Sequence, residues 1–289
     1  MKNKHAKAII ITTIGVLLLS LESLFIKLTS ITALTFAFYI GIFMFTSTNI
    51  ILLTNKKTNF IKAYKTDFIG ILICAFLFGI SSILFISSIK HTTVANAVLI
   101  FSAAPVFAAF YMYILFKQKS TRNIYISSFF IFVGLYIIFS SQLGQGDIMG
   151  NLYALICIAL FSLAFVILSR YKNINMFAVI SLSSVVTVII AFIFTTTIII
   201  DLETLYILLI AGLFVSPMAR VLMGMGTKTL PASEVSLLMI IETVMAPVWV
   251  WLFLNEIPQS STLVGGSIIL LTLVINSLYM LTLNKAKVS

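Results

Sequence analysis

Residues 1–65 read MKNKHAKAIIITTIGVLLLSLESLFIKLTSITALTFAFYIGIFMFTSTNIILLTNKKTNFIKAYK, and the order of charge and apolarity in this stretch decides the fold. Lys2, Lys4 and Lys7 precede an apolar run over 8–28, and a second run over 31–53 follows after a gap with no cation. Lys56, Lys57, Lys62 and Lys65 then arrive together. Crossing a hydrocarbon core of roughly 30 Å takes about 20 apolar residues in a helix, so each run is one crossing. Loops on the cytoplasmic side collect Lys and Arg, so the chain leaves the cytoplasm in the first run and returns in the second.

The same alternation continues to the other end. Apolar runs over 67–89, 92–116, 123–141, 149–169, 175–198, 205–226, 230–254 and 261–283 bring the expected number of spans to ten. Lys117, Lys119 and Arg122 follow the fourth, Arg170 and Lys172 the sixth, Lys228 the eighth, and Lys285 and Lys287 the tenth. The intervening gaps hold Asp147, Asp201, Glu203 and Glu256. The expected protein is an all-α integral membrane protein with both termini cytoplasmic, in the cell membrane and most naturally the bacterial inner membrane. Only Lys27, Lys90 and Arg220 depart from the alternation.

Composition agrees. The chain has 289 residues, 61% of them hydrophobic and 9% charged, with a mean hydropathy of +1.18, which excludes an ordinary soluble domain. β-barrel spans would alternate in polarity over about 10 residues, and these runs are apolar on all sides. A net charge of +10 invites a nucleic-acid reading, but the cations are dispersed over several loops and read as a topology signal that also attracts anionic lipid heads. Cys74 and Cys157 lie inside apolar runs without metal-ligand or disulfide spacing. The N-terminal run resembles a secretory signal, yet it continues to about Phe25 without a small-residue cleavage site. It is expected to be retained as the first span.

The loop Gln142-Leu-Gly-Gln-Gly-Asp147 divides the chain near its midpoint, with five spans on each side. Five is odd, so the second half must enter the membrane in the opposite sense. The expected organisation is therefore two inverted five-helix repeats, residues 1–145 and 146–289, forming one unit. A shift of 138 residues places Leu99 on Leu237, Val106 on Val244, Ala108 on Ala246, and Tyr111 and Tyr113 on Trp249 and Trp251.

The fourth and ninth spans carry a resemblance. Lys90-His-Thr-Thr-Val-Ala-Asn-Ala-Val-Leu-Ile-Phe-Ser-Ala-Ala-Pro105 resembles the fourth helix of the EamA-type transporters of the drug/metabolite transporter superfamily. Ile241-Glu-Thr-Val-Met-Ala-Pro-Val-Trp-Val-Trp-Leu-Phe-Leu-Asn-Glu256, followed by Gly265-Gly266, is similar to the matching element of the second repeat. Gly15 to Lys27 is similar to the family's first helix, which commonly ends in lysine. Two positions depart from the pattern: Phe38-Tyr39 is followed by Ile40 where an arginine is frequent, and Gln118 stands where the fourth helix usually closes on an acid. The resemblance implies a secondary transporter of a small organic metabolite: an amino acid or derivative, or a nucleoside-like or drug-like compound. Export is common in the family.

Ionisable residues inside a bilayer are costly, which makes each a candidate for the substrate pathway. Glu242 lies near the middle of the ninth span as a candidate proton carrier; the competing reading makes it a structural partner of Arg220. Glu22 is expected to face the cavity. Lys27 either joins it there or extends its ammonium to the outer headgroups. Their five-residue spacing sets them about 140° apart on a helix, too far for a simple pair. Asn96 and Ser102 are polar positions of the fourth span, and Asn96 serves equally well to bond a neighbouring helix. Tyr39, Phe85, Tyr111, Trp249 and Trp251 are aromatic candidates, with lipid-facing or core positions as the alternative and an interfacial anchor for Trp251. Pro105, Pro217 and Pro247 each leave the carbonyl four residues earlier without its helical donor, as a site lining or as a kink.

His5 and His91 lie in different loops, and no HExxH or phosphate-binding loop occurs. No catalytic residue, metal or cofactor is expected. The energy source is an ion or substrate gradient, with protons as the candidate coupling ion. The expected partners are the substrate and the lipid bilayer, with no nucleic acid, and a monomer is compatible with the sequence. Two other classes remain at this stage: a non-transporting scaffold or accessory subunit, and a membrane-embedded enzyme acting on lipid-linked substrates, for which the polar inventory is sparse.

Overall fold

A computed structural model describes residues 2–54, 59–118, 122–140, 148–171, 173–227, 230 and 232–286. The loop Gln142–Asp147 and the cations Lys56, Lys57, Lys119, Lys172, Lys228 and Lys287 lie outside these residues. Among the described residues all regular secondary structure is helical, without strands. Apolar runs fold this way because a backbone in hydrocarbon must satisfy its own hydrogen bonds.

The helices are α1 (Lys2–Leu28), α2 (Ala33–Thr54), α3 (Phe60–Lys65), α4 (Phe68–His91), α5 (Val94–Phe101), α6 (Ala104–Phe116), α7 (Arg122–Ser140), α8 (Ile148–Leu168), α9 (Met176–Phe194), α10 (Leu202–Leu209), α11 (Ser216–Thr227), α12 (Ala232–Leu254) and α13 (Ser260–Ala286). Eight stretches are long and apolar enough to cross a membrane, and two shorter apolar ones, Leu238–Leu254 and Ser260–Asn276, follow them. Helix α3 occupies part of the lysine-rich segment after the second span, capped by Asn59, whose side chain accepts from the Lys62 amide.

Three expected spans have internal structure that the hydropathy did not show. The fourth is broken at Ser102 and Ala103 into α5 and α6, with Pro105 in the first turn of α6, where its missing N–H costs nothing. The seventh stops at Phe194 rather than 198, because the β-branched run Thr195–Ile200 leaves the helix and the Thr195 and Thr197 oxygens bond Thr35 of α2. The eighth consists of α10, a wide π-helical turn over Ile210–Val215, and α11. Pro217 follows that turn, and Ser47 Oγ of α2 donates to the Leu213 carbonyl at 3.0 Å, replacing the donor that the proline lacks.

Most helix contacts, between the halves and within them, follow one rule. The first half comprises α1, α2, α4, α5–α6 and α7, and the second α8, α9, α10–α11, α12 and α13. Exchanging equivalent members maps the contact α4–α8 onto α11–α1, α6–α8 onto α12–α1, α6–α7 onto α12–α13, and α4–α9 onto the contact of α2 with the π turn. The contacts α2–α9, α5–α12 and α7–α13 map onto themselves. In α7–α13 the register runs from Asn123 beside Asn276 to Gly134 beside Gly265, so the two helices are antiparallel. A Cβ on Gly134 would lie 2.7 Å from the Gly265 carbonyl oxygen, and one on Gly265 2.6 Å from that of Gly134. Only glycine permits this approach. Along α4–α8, the buried thiols of Cys74 and Cys157 each donate to a carbonyl of the opposite helix, at Ala164 and Ser81.

Candidate functional site

Two polar clusters occupy the seam where α1 meets the second half. The inner cluster begins with Arg220 of α11. Side chains on a helix lean toward its N-terminus, and the guanidinium accordingly turns back so that Nη1 donates to the Ser216 carbonyl at 3.1 Å. The same nitrogen stands 2.7 Å from Glu22 Oε1 on α1. Glu242 on α12 is close enough to feel both charges. It forms no hydrogen bond or ion pair with any described residue and is half-buried. Trp249, two turns along α12, donates its indole N–H to Ser20 Oγ of α1 at 2.9 Å. Phe85 of α4 packs edge-on to Phe101 of α5 with ring centroids 4.9 Å apart. Leu21, Leu24, Val98, Ala246 and Val250 close the surrounding apolar packing.

The second cluster closes one end of the bundle. Lys27, at the last turn of α1, places Nζ 2.9 Å from Glu256 Oε2, just past the end of α12. The same ammonium donates to the Thr92 carbonyl at 2.9 Å. The other oxygen of Glu256 accepts the Val94 amide at 2.7 Å, an unsatisfied N–H of the first turn of α5. Lys90 reaches from α4 to the carbonyl and hydroxyl of Thr29. Asn96 is fully buried: its amide N–H donates to Thr92 Oγ1 at 3.3 Å, and its oxygen accepts from Thr262 Oγ1 at 2.6 Å. Thr92 Oγ1 in turn donates to Asn151 of α8 at 3.0 Å. Thus α1, α4, α5, α8, α12 and α13 are knotted together at this end.

The ionic partners differ from those expected. Arg220 pairs with Glu22 rather than Glu242, and Lys27 pairs with Glu256 instead of snorkelling freely. Lys90, one of the three cations outside the alternation, is tied to Thr29 just past the end of α1. Glu22, Arg220 and Glu242 do come together, with Trp249 two turns further along α12 on Ser20. The others stand apart: the Tyr39 hydroxyl donates to the Ile198 carbonyl at 2.6 Å, and Ser102 Oγ donates within its own turn to Leu99. Tyr111 stacks edge-on with its neighbour Phe110, and Trp251 is about half exposed. Pro247 lies inside an unbroken α12, one turn beyond Thr243. Glu256, Thr92, Asn151 and Thr262 were missed as members of a cluster. Their only sequence signal was that all lie at span ends which the charge alternation assigns to one side.

The family model described as the EamA-like transporter family matches residues 6–140 and, separately, 148–278. No curated protein matches the chain. A solved structure described as "Crystal structure of protein" superposes with a TM-score of 0.65 at 15% identity, covering 95% of this chain and 98% of that one, a likeness of fold.

Proposed function

The chain belongs to the EamA-like transporter family, and on that premise we propose that it is a secondary active transporter of a small organic metabolite, working by alternating access across ten spans. The observation that carries this reading is the Glu22–Arg220 pair with Glu242 beside it, within the bundle and shared between the two halves. Charges at such depth are expensive, and a substrate or ion that uses them is the usual return.

The contact rule supports an inverted repeat over 1–145 and 146–289. Equivalent helices that pair antiparallel with each other, as α7 does with α13, are related by an axis perpendicular to them, which is an axis in the membrane plane. Two such halves can rock about one central site, and the ligand shifts the population between the two packings. The cation distribution supports cytoplasmic termini, and on that reading the Lys27 end of the bundle faces outward.

Glu242 is the proposed proton carrier, with Glu22 as second choice. Arg220 and Trp249 complete the polar and stacking lining of the pathway. The family's frequent direction, export, is the proposed one. The test is counterflow in proteoliposomes with a panel of labelled amino acids, nucleosides and organic cations, across a pH series. Solute-specific counterflow that responds to pH is expected, and Glu242→Gln should keep the fold and lose the pH response. Absence of counterflow for every solute would favour a non-transporting role. Full pH-responsive transport by a folded Glu242→Gln protein would remove the carrier assignment.

A further inference from the structure

The repeat exchange that maps α12–α1 onto α6–α8 also maps the Lys27–Glu256 contact onto a second contact at the opposite end. Lys27 closes α1, and its counterpart Arg170 stands just past the end of α8. Glu256 follows α12, and its counterpart Gln118 follows α6. These counterparts do meet: Arg170 Nη2 donates to Gln118 Oε1 at 3.3 Å. The guanidinium carbon also lies 3.9 Å from the centroid of the Phe116 ring. Because α8 runs antiparallel to α4, which ends beside α1, this contact is at the end of the bundle remote from Lys27.

The two contacts share a place in the repeat but not a strength. Lys27 and Glu256 form a true ion pair, with side chains only 20% and 23% exposed, and both carry further bonds into the α4–α5 turn. Arg170 and Gln118 are exposed, and their bond joins one charge to a neutral amide. An anionic acceptor makes the shorter and roughly twofold stronger bond.

Resting on the alternating-access reading above, we propose that Lys27–Glu256 and Arg170–Gln118 are the two matched gates of this protein, and that the neutral residue at 118 biases it toward the state closed at the Lys27 end. Opening at either end requires breaking that end's gate. With an ion pair at one end and a neutral acceptor at the other, the free-energy difference between the two packings carries the difference between the gates. Residue 118 thus sets the resting distribution without touching the central cluster.

The experiment reads gate state without requiring flux. Ser20 lies two turns below Lys27 on the same α1–α12 seam and is 1% exposed. In a background with Cys74→Ser and Cys157→Ser, Ser20→Cys is labelled with a membrane-impermeant maleimide, applied separately to the Lys27 side and to the Arg170 side. Slow labelling from the Lys27 side is expected at the start. Gln118→Glu, a surface change that leaves folding intact, should raise that rate by about twofold to fivefold, since one new exposed ion pair at the far end shifts the balance. Adding Arg170→Gln to Gln118→Glu should return it to the starting value. Glu256→Gln should also raise it. The proposal is overturned if Gln118→Glu leaves the rate unchanged, or if its effect survives Arg170→Gln. Failure of the transport reading shows separately, as labelling that shifts in a protein giving no counterflow.

Discussion

Arg220 Nη1 lies 2.7 Å from Glu22 Oε1, joining α11 of the second half to α1 of the first across 198 residues of sequence. Neither group is fully sealed, with side-chain exposures of 34% and 18%. Each still depends on the other in surroundings where a lone charge is costly. Glu22→Gln or Arg220→Gln alone is expected to cost about 2 kcal/mol, whereas the double variant loses less than the sum of the two. Thermal unfolding of the four proteins in detergent measures this. Additive losses would mean that the pair is not coupled.

Ser47 and Pro217 make a second cycle. Ser47→Ala removes the donor to the Leu213 carbonyl and should destabilise by about 1–2 kcal/mol, the cost of an unsatisfied buried acceptor. In a Pro217→Ala background residue 217 has its own N–H to offer, so the same change should cost much less. An equal penalty in both backgrounds would show that the hydroxyl does not replace the missing proline donor.

Gly134 and Gly265 hold α7 and α13 at a separation that no Cβ fits. Gly134→Ala or Gly265→Ala must push backbone from backbone, because the obstructing atom is a carbonyl oxygen. A loss of about 1–3 kcal/mol is expected from either, as for other overpacked interfaces. A melting temperature within a degree of the parent in both variants would contradict the close approach.

Asp201 caps α10, accepting from the Thr204 amide at 3.2 Å. Bonds to Thr204, its side chain first and then its amide, hold the carboxyl below its ordinary range. A depressed folded value means the anion is favoured by folding. The stabilisation is therefore full above the unfolded carboxylate range and fades as pH falls through the folded value. Asp201→Ala should lower the melting temperature at neutral pH, with the gap to the parent narrowing on acidification. A gap that widens on acidification would reverse the sign and refute the cap's ionic part.

How much of this was legible beforehand follows from the physics of each feature. The apolar helices could be read because they depend on a local quantity, apolar length, which lipid and water sort one segment at a time. The division into two halves came from counting those segments. The breaks inside spans were partly legible: Pro105 and Pro217 announced trouble, but only the structure shows a helix break at one and a π turn with Ser47 behind it at the other.

The chain's own sequence determined that Glu22, Lys27, Arg220, Glu242 and Glu256 lie within or at the ends of apolar helices, and which end Lys27 and Glu256 share. It could not determine that Lys27 belongs with Glu256 and Arg220 with Glu22. Sequence spacing suggests Arg220 with Glu242 on adjacent spans and argues against a simple pair of Lys27 with Glu22, but it names no partner for Lys27. Pairing depends on how helices are rotated and placed about one another. Those relations are set by small-residue approaches such as Gly134 on Gly265, and by the exchange between the halves that only the tertiary structure displays.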